Sequence, residues 1–590
     1  MRKLFNRRRV LAVAAALLVG SVPTATTATA SAESQPTDLV SHLSLEEKVG
    51  QLFVTYAYGA TVDTADPASV AANRRQHGVD NARQLIEKYH LGGVVYFAWS
   101  GNTADPAQVA GLSNGIQRVS AIPALVSTDQ EHGVVSRIGA PATLFPGNMA
   151  LGAARDPASA GTAAEIAGRE LRAMGVNQDF APVADVNVNA LNPVIGVRSF
   201  AEDPGLVARL VHAQVRGYQR GGVSATAKHF PGHGDTAVDS HTGIPVIGHS
   251  RSEWERLDLP PFRRAIAAGV DSIMTAHIVV PALDPSGDPA TLSRPIMTGI
   301  LREELGYDGV VITDSLGMAG VRQKYGDDRV PVLALKAGVD QLLMPPNIDL
   351  AFNAVLTAVR NGELTEDRID QSVRRILRMK AGRGLFDDRF VDPARLPDIV
   401  GTKRNRQVAQ RITDRTTTLV RNAAGTLPLR TRPTSVFTTG WGTTADPVPQ
   451  RLATAVGRRA ASATSLATGA NPNQAMIDRA VAGAGGADLT VVATNKAWAD
   501  TGQQNLVKAL LATGRPVVVI AVRDPYDIAY FPDAPTYLAT YSYTEVSVES
   551  AVRVLYGERA PAGKLPVTIP VAGDPSTALY PFGHGLTWEG

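Results

Sequence analysis

The 590-residue chain contains no cysteine, few aromatic residues and no apolar run long enough to span a bilayer. Without cysteine it can form neither disulfides nor a thiol nucleophile, so its stability must come from its core. Charged residues make up only 19% of the chain and hydrophobic residues 44%, a balance that excludes a disordered protein. The length exceeds what one hydrophobic core normally fills, so we expect two or more domains.

The first 32 residues differ from the rest and predict a signal peptide. They combine a basic start (MRKLFNRRRV), a short apolar run (LAVAAALLVG) and an A-x-A cleavage pattern at residues 30–32. The RRRVL stretch at residues 7–11 also resembles a twin-arginine signal, with ordinary secretion as the alternative. The apolar run is too short for a membrane anchor. We therefore expect a secreted protein, extracellular or associated with the cell wall.

Most of the apparent basicity of the chain lies in this segment. Removing its five basic residues leaves 53 basic and 55 acidic residues, so the net charge falls from +3 to −2. This balance disfavours a nucleic-acid partner.

Between about Leu39 and Phe386, short apolar runs rich in β-branched residues alternate with helical segments, which predicts an α/β fold with a parallel sheet. The runs begin at Gly50, Gly92, Pro123, Asn177, Ser224, Asp271, Asp308 and Val339. Eight strands close a (β/α)8 TIM-like barrel, which we predict over residues 36–386. Residues 157–174 show helical spacing, with Asp156 as the N-cap.

The chain changes character after Phe386. Residues 387–402 contain prolines and acids without periodicity and predict an interdomain linker. A helix is then expected near Lys403 to Asn422, followed by strands that begin at Ser435, Ala487, Arg515 and Thr536. This pattern predicts a smaller α/β layered-sandwich domain over residues 403–590. Its predicted strand ends carry no dense set of acids or histidines, so we expect the chemistry in the barrel.

Polar residues collect where the predicted barrel strands end. They are Asp129, Asp185, Lys228, His229, His277 and Asp314. A single polar residue at such a place is more often a helix cap than a catalyst. Several that converge on one rim of a barrel favour an active site.

The stretch KHFPGHGDTAVDSH, residues 228–241, holds three of the eleven histidines. His229 and His233 have the spacing of zinc ligands on a helix, but the proline and glycines at residues 231–234 disfavour that helix. We predict neither a metal nor a cofactor, and the signal for a phosphate cradle is weak. Proton transfer is favoured, because Asp239 can orient His241 in an irregular loop. The alternative is a surface loop with accidental histidines.

Two stretches resemble a known family. ILREELGYDGVVITDSLG, residues 300–317, resembles the signature of glycoside hydrolase family 3, and residues 228–241 resemble its β-N-acetylglucosaminidase branch in a two-domain secreted form. Further matches, from TDQEHGVVSR at Thr128 to YPFGHGLTW at Tyr580, span nearly the whole mature chain. Relatives commonly have Gly-Gly-Arg where this chain has residues 132–134, His-Gly-Val, so we expect the lip of the sugar pocket to differ.

The resemblance implies a role for each matching residue. Asp314 would be the nucleophile, His241 the acid/base and Asp239 its dyad partner, while Asp129, Arg137, Arg198, Lys228 and His229 would bind the terminal sugar. For Arg198 the alternative is a structural salt bridge. Asp185 is expected to support the site, and His233 and Asp235 to shape the loop.

The implied activity is that of a retaining exo-β-N-acetylglucosaminidase acting through a covalent glycosyl-Asp intermediate. Its substrates would be peptidoglycan fragments or chitin oligosaccharides, and we expect a monomer without membrane insertion after signal removal. A neutral histidine in place of a second carboxylate lets an anion approach the intermediate, so we expect that phosphate can compete with water.

Two other functions were weighed. A β-glucosidase of the same family usually takes its acid/base glutamate from the second domain, and the comparable stretch TNKAWADTGQQNLVKAL, from Thr494, contains none. A non-catalytic carbohydrate-binding protein would be expected to have lost Asp314 or the Asp239/His241 pair, yet all three are present.

Overall fold

Eight parallel strands form a barrel in the first part of the chain. The computed structural model describes residues 36–240 and 242–588, so the predicted signal peptide lies outside the described residues. The strands are β1 (Phe53–Thr55), β2 (Gly93–Val95), β3 (Leu125–Thr128), β4 (Gln178–Asp179), β5 (Ser224–Phe230), β6 (Ser272–Thr275), β7 (Val310–Ile312) and β8 (Leu342–Leu343). Their spatial order is β7-β6-β5-β4-β3-β2-β1-β8, and a bridge between Ile312 and Gln341 joins the two ends. The predicted barrel is confirmed, and each of the eight predicted runs contains one strand.

Helices surround this barrel. They are α1 (Leu45–Gln51), α2 (Pro67–His77), α3 (Ala82–Tyr89), α4 (Pro106–Val119), α5 (Asn148–Ala154), α6 (Pro157–Ala173), α7 (Pro204–Arg220), α8 (Arg251–Leu257), α9 (Leu259–Ala267), a π-helix (Pro295–Glu304), α10 (Ala319–Tyr325), α11 (Arg329–Ala337), α12 (Ile348–Arg360) and α13 (Glu366–Gly382). The Asp156 carboxylate caps α6 by accepting from Ala158 N, as the sequence predicts. Gly217 of α7 lets the two helices touch, because a Cβ there would lie 2.4 Å from Gly161 O.

A small apolar cluster fills the inside of the barrel. It consists of Val54, Val95, Phe97, Phe180, Met274, Ile312 and Leu343. All seven are buried, and each such side chain contributes about 1.5–3 kcal/mol on leaving water. This cluster forms a rigid floor at the end of the barrel where strands give way to loops.

The second part of the chain is a six-stranded mixed sheet between helices. Its strands are β9 (Thr418–Asn422), β10 (Ser435–Gly440), β11 (Ser462–Ala467), β12 (Leu489–Thr494), β13 (Val517–Ala521) and β14 (Thr536–Ala539), in the spatial order β11-β10-β12-β13-β14-β9. The helices are α14 (Leu396–Ile399), α15 (Lys403–Thr413), α16 (Val448–Gly457), α17 (Gln474–Gly485), α18 (Thr501–Ala512) and α19 (Glu545–Leu555), and a hairpin follows, β15 (Ile569–Val571) and β16 (Asp574–Tyr580). Separate apolar clusters cover the two faces of the sheet, as a layered sandwich requires.

One predicted helix was too long. The helix expected near Lys403 to Asn422 ends at Thr413, and Thr418–Asn422 forms β9, antiparallel to β14. Leu419 and Val420 are buried in that strand. Strand pairing and burial therefore determine the conformation of this segment, rather than its local helical preference. The boundaries drawn for the linker and the domains remain predictions.

The second domain packs on the loops at the carboxyl ends of the barrel strands. Asn187 Nδ2 donates to Tyr526 Oη at 3.0 Å, and Lys496 Nζ donates to Pro193 O at 3.1 Å. Glu202 accepts from the backbone N and the hydroxyl of Thr568, at 2.6 and 2.7 Å. These bonds hold the second domain beside the rim where barrel chemistry is expected.

Within the described residues, no helix combines the length and the apolar character that crossing a bilayer requires.

Candidate active site

A cavity of about 590 Å³ opens at the carboxyl ends of the barrel strands. Its wall contains seven of the eight predicted site residues: Asp129, Arg137, Arg198, Lys228, His229, Asp239 and Asp314. The eighth, His241, lies outside the described residues. The floor is the apolar cluster of the barrel, represented by Phe97, Phe180, Met274 and Leu343.

A buried ion-pair network forms one wall of the cavity. Lys228 Nζ lies 2.8 Å from Asp129 Oδ1 and 2.7 Å from Glu131 Oε1. The Arg198 guanidinium donates to both oxygens of Glu131, at 2.8 and 2.9 Å. Burial opposes ionisation of Glu131, but the charges and hydrogen bonds of Arg198 and Lys228 outweigh it and lower the pKa of that carboxyl. Arg198 therefore makes the structural salt bridge that was the alternative to sugar binding, and it also faces the cavity.

Asp185 orients His229 from below. Its Oδ1 accepts the backbone N–H of His229 at 3.1 Å and that of His233 at 2.8 Å, while His229 Nδ1 lies 2.7 Å from Oδ2. The bond between Nδ1 and the carboxylate fixes the orientation of the ring, and Nε2 lies 3.5 Å from an Arg198 guanidinium nitrogen. The buried Asp185 thus supports the site through His229.

Asp314 is the second residue after β7 and lies in the cavity wall. Its Oδ1 accepts from Ser315 N at 2.7 Å, and within the described part of the chain it forms no ion pair. Burial favours the neutral acid, but His229, His277, the Ser315 N–H and Lys228 together lower the pKa of Asp314. The carboxylate is therefore ionised at neutral pH.

His277 holds the backbone next to Asp314 in place. Its Nε2 lies 2.9 Å from Ser315 O, and its Nδ1 lies 2.7 Å from the hydroxyl of Thr291. Burial lowers the pKa of His277. This residue, which the sequence left without a role, fixes the turn that presents the carboxylate.

The described residues of the loop over 231–243, which are all but 241, form no helix, and His233, Asp239 and Ser240 line the cavity. Gly234 lies so close to the backbone that a Cβ there would be 1.7 Å from Val186 O. His233 Nε2 lies 3.0 Å from the Ser240 hydroxyl, and burial lowers the pKa of His233 to about 4. Beyond it, the carbonyl of Asp239 accepts from the backbone N of residues 242 and 243 at 3.0 Å, so Asp239 stands at a turn in the cavity wall.

A histidine between two carboxylates anchors this loop to the barrel. His249 Nε2 lies 2.9 Å from Asp235 Oδ2, and its Nδ1 lies 2.7 Å from Asp258 Oδ2. Hydrogen bonds to Asp235 and Asp258 raise the pKa of His249 to about 10, and that of Asp235 is lowered by the same contact. At neutral pH the three residues form a charged clamp.

Aromatic side chains form the outer edge of the cavity. Trp99 stacks on Phe97, with ring centroids 4.9 Å apart and 18° between the ring planes. The Trp99 residue is 54% exposed. Arg137 lies 5.5 Å from the Phe97 ring and 3.6 Å from Asp129. An exposed ring at the mouth of a polar cavity offers an apolar face to a sugar.

The lip of the cavity carries the departure seen in the sequence. Val134 lines the wall there, while the ring of His132 turns inward against Phe145, with centroids 5.1 Å apart. Burial lowers the pKa of His132 to about 4, so it is neutral. The aliphatic side chain of Val134 therefore occupies the position on the lip where relatives commonly have arginine.

The second domain contributes to the cavity as well. Arg523, just after β13, lies in the wall beside Pro193 and Val194 of the barrel. The domain is thus part of the candidate site as well as a neighbour of it.

Residues 44–379 match the Glycosyl hydrolase family 3 N terminal domain, and residues 417–588 match the Glycosyl hydrolase family 3 C-terminal domain. The chain belongs to glycoside hydrolase family 3. The resemblance read from the sequence is confirmed.

Individual relatives agree with the family. Beta-hexosaminidase A of Pseudoalteromonas piscicida is 40% identical over 326 residues, which cover 50% of this chain and only 54% of that protein. A beta-N-acetylglucosaminidase/beta-glucosidase of Cellulomonas fimi is 28% identical over 88% of this chain and 93% of its own length. The solved structure of a family 3 beta-N-acetylglucosaminidase from Paenibacillus sp. str. FPU-7 is 38% identical, with a TM-score of 0.82 over 90% of this chain and 99% of that one.

Two residues of this family 3 cavity were missed from the sequence. Glu131 lies in the stretch TDQEHGVVSR, two residues after Asp129. Its position close to a predicted strand end could have indicated it. Arg523 begins the quoted RDPYDI stretch, but nothing in its local sequence indicates that it reaches the barrel.

Proposed function

We propose that this glycoside hydrolase is a retaining exo-β-N-acetylglucosaminidase with Asp314 as its nucleophile. The observation that carries the proposal is an ionised carboxylate at the end of β7, inside a sugar-sized cavity and outside every ion pair of the described residues. The printed names of the Pseudoalteromonas and Paenibacillus relatives support the choice of amino sugar.

The polar wall would bind the terminal sugar. Asp129 and Glu131 are carboxylates that accept from hydroxyls, while Lys228 and Arg198 are charged donors already fixed by those carboxylates. His229, held by Asp185, adds a ring nitrogen, and Arg137 closes the edge beside Phe97. Because the carboxylates already fix these two cations, little order has to be created on binding.

The reaction would proceed in two displacements. Asp314 attacks the anomeric carbon while His241 protonates the departing oxygen, so the glycosidic bond breaks as the bond to the carboxylate forms. His241 then removes a proton from water, whose oxygen displaces Asp314 with net retention. Asp239 would hold His241 and balance its positive charge.

The charge pattern of the cavity supports a histidine acid. Of the other carboxylates in its wall, Asp129 and Glu131 are both paired with Lys228 at no more than 2.8 Å. An acid needs a pKa near the working pH, and the charges of Arg198 and Lys228 lower the pKa of Glu131 away from that range. Asp239 stands in the loop that also carries residue 241, and so fits the role of dyad partner.

Activity assays test this function. Nitrophenyl β-GlcNAc should be turned over faster than nitrophenyl β-glucoside.

Asp314→Ala should abolish turnover, because the nucleophile is lost, while circular dichroism should show that the fold is intact. His241→Ala should slow natural disaccharides far more than nitrophenyl sugars, because only the former need protonation. A uniform loss on both leaving groups would count against His241 as the acid.

A β-glucosidase is the second candidate, since the Cellulomonas fimi relative carries both names. The segment that would supply its acid forms the end of β12, a short turn at Ala497–Ala499 and α18, and contains no glutamate. Equal or better turnover of the glucoside would replace the first proposal with this one.

We also propose that the enzyme works outside the cytoplasm, where β-linked GlcNAc occurs in peptidoglycan fragments and chitin. The basic, apolar and A-x-A segments of residues 1–32 support export. N-terminal sequencing of the secreted protein should begin at Glu33, and retention of the first residues in a cell-bound form would contradict it.

A further inference from the structure

Positive charge is concentrated on α15. Residues 401–415, GTKRNRQVAQRITDR, contain five cations and one acid, whereas the chain without its predicted signal peptide has a net charge of −2. Four of the cations lie within the helix and are exposed, at positions 403, 404, 406 and 411. Two of them, Lys403 and Arg404, occupy its first two positions, where the free N–H groups of a helix disfavour cations. The stability of the helix therefore does not account for this charge.

A cavity of about 610 Å³ opens along one side of this helix. We call it the basic cleft, and it is lined by Lys403, Arg406, Gln407, Gln410, Arg411, Asp414, Arg553 and Arg559. α15 provides three of its five cations, α19 provides Arg553, and Arg559 follows α19. Within residues 36–240 and 242–588, the basic cleft and the candidate active site have no lining residue in common.

The single acid of the basic cleft is already paired. Asp414 Oδ2 lies 2.8 Å from Arg553 Nη1 and 3.6 Å from Arg559 Nε, while Oδ1 accepts from Gln410 Nε2 at 2.8 Å. Among the residues that the structure describes, three cations of the cleft form neither a side-chain ion pair nor a side-chain hydrogen bond: Lys403, Arg406 and Arg411. Like charges about one turn apart on a helix repel, so an anion that enters the cleft would relieve this repulsion.

The cavity on the other side of α15 has a different charge balance. It is larger, about 710 Å³, and combines four cations with three carboxylates. These charged residues are Arg169, Arg172, Arg395, Arg404, Asp388, Asp392 and Asp398. The excess of positive charge beside α15 therefore belongs mainly to the basic cleft.

The chemistry of the basic cleft favours a chain of phosphate groups. Lys403, Arg406 and Arg411 are spread over roughly 12 Å of the helix axis, so they suit several anions in succession rather than one. A phosphodiester has two free oxygens that accept from guanidinium or ammonium donors on different elements. The amides of Gln407 and Gln410 add donors and acceptors for hydroxyl groups.

The same lining disfavours nucleic acids and membranes. All eight residues are polar or charged and none is aromatic, so the cleft offers no ring on which bases could stack. Nor does it present the apolar side chains with which an interfacial helix enters a bilayer. The favoured ligand is therefore a flexible polymer of hydroxylated units joined by phosphodiesters.

We propose that the basic cleft binds an anionic polymer of phosphodiester-linked, hydroxylated units. This binding goes beyond the proposed function and does not depend on it, because the cleft lies apart from the candidate active site. Outside the cytoplasm, where the enzyme is proposed to work, a polymer of this kind at the cell wall would hold the enzyme in place. The barrel cavity would stay open to substrate.

Titration of the full chain with a fluorescent glycerol phosphate oligomer tests the cleft. The triple variant Lys403→Gln/Arg406→Gln/Arg411→Gln should bind at least about tenfold more weakly than wild type, the scale of one charged hydrogen bond. Between about 50 and 200 mM NaCl, its slope of log affinity against log salt should be shallower by roughly two, because three phosphate contacts are lost.

A matched triple variant controls for net charge. Arg256→Gln, Arg479→Gln and Lys508→Gln remove one lysine and two arginines from exposed positions on α8, α17 and α18. This protein should keep the wild-type affinity within about twofold, which is below the effect of one hydrogen bond. Failure of the wild type to bind the oligomer at about 50 mM NaCl, or equal weakening in both triple variants, would refute the cleft.

Competing ligands decide which polyanion the cleft prefers. Oligothymidylate, polyglutamate and phosphatidylglycerol vesicles are titrated at the same concentration of charge. The glycerol phosphate oligomer should bind most tightly. Tighter binding of any competitor would overturn the assignment and would indicate a nucleic acid, a carboxylate polymer or a membrane surface instead.

Turnover and single variants separate this result from the proposed function and from misfolding. Both triple variants should hydrolyse nitrophenyl β-GlcNAc at the wild-type rate. If the wild type cleaves no substrate, the proposed function fails, yet the titrations still decide the cleft. Should circular dichroism show that the first triple variant is unfolded, Arg411→Gln and Arg411→Lys replace it. The glutamine should then weaken binding more than the lysine, and equal affinities would refute the cleft.

Discussion

Glu131 is the residue on which the polar wall depends. One carboxylate binds Lys228 through a single oxygen and Arg198 through both, and its side chain is 2% exposed. Removing one partner of a buried pair leaves an uncompensated charge, which costs more than the pair itself contributes. Glu131 therefore sets the position of two cations in the cavity wall, Lys228 and Arg198, which we propose to bind the sugar.

Glu131→Gln should lower the free energy of unfolding by about 3 kcal/mol and raise KM, because Arg198 loses its carboxylate partner and Lys228 keeps only Asp129. Urea denaturation and steady-state kinetics measure both effects. Glu363→Gln, in a partly exposed pair with Arg329 and Lys336, is the control and should cost less than about 1 kcal/mol. Equal small losses in both variants would contradict the central role of Glu131.

For single residues, the sequence predicts those that lie at the ends of strands. It does not predict those whose importance comes from an ion pair with a distant residue. Asp129 and Asp314 come within two residues of the ends of β3 and β7, so a strand assignment brings them to one rim. Glu131 matters because of Arg198, which is 67 positions away in the chain. Ion pairs of that separation depend on packing that no local pattern encodes.

The loop of residues 231–243 is an irregular element held at defined points. The clamp of His249 between Asp235 and Asp258 ties it to the start of the following helices, and Gly234 lies against the Val186 carbonyl. The loop that we propose to transfer protons is therefore anchored before Asp239 by charge and by close backbone contact.

The clamp predicts a pH dependence of stability. The pKa of His249 is raised from 6.5 to about 10, so its stabilisation is complete below pH 6.5 and is lost as the pH rises through about 10. Urea midpoints of the wild type should fall across that window. His249→Gln has no charge to lose, and its midpoints should fall less. Parallel decreases in both proteins would show that the clamp contributes nothing.

Elements were predicted best where burial and periodicity agree. All eight barrel strands lie in the predicted apolar runs, and α6 ends within a residue of its predicted end. β9 was read as the continuation of a helix, because only its pairing with β14 distinguishes it. β11 was missed because its side chains are largely exposed and give no apolar run.

At the scale of the whole molecule, the two domains share one cavity. Asn187 and Tyr526, both buried, bond across the interface, and the Asn187 amide would be left unsatisfied without the phenol oxygen. That Arg523 reaches the barrel follows from this docking. Docking depends on the fit of two surfaces, which explains why the sequence indicated chemistry in the barrel alone.

Tyr526→Phe should cost about 1–3 kcal/mol at this interface, because a buried donor loses its acceptor. Activity should then disappear at lower urea than the far-ultraviolet circular dichroism signal. Tyr537→Phe removes a buried bond to Pro525 O at 3.0 Å within the second domain and serves as the control. There the two signals should shift together. Coincident shifts in Tyr526→Phe would show that the interface bond does not couple the domains.

The contribution of Arg523 to the cavity also sets an order of events during synthesis. Asp314 leaves the ribosome about 200 residues before Arg523, roughly 10–40 s earlier at bacterial and eukaryotic elongation rates. A nascent barrel can bring Asp314 and its buried ion-pair network together in that interval while one side of the cavity is still open. Completion of the cavity thus waits for synthesis of the second domain rather than for folding of the barrel that holds Asp314.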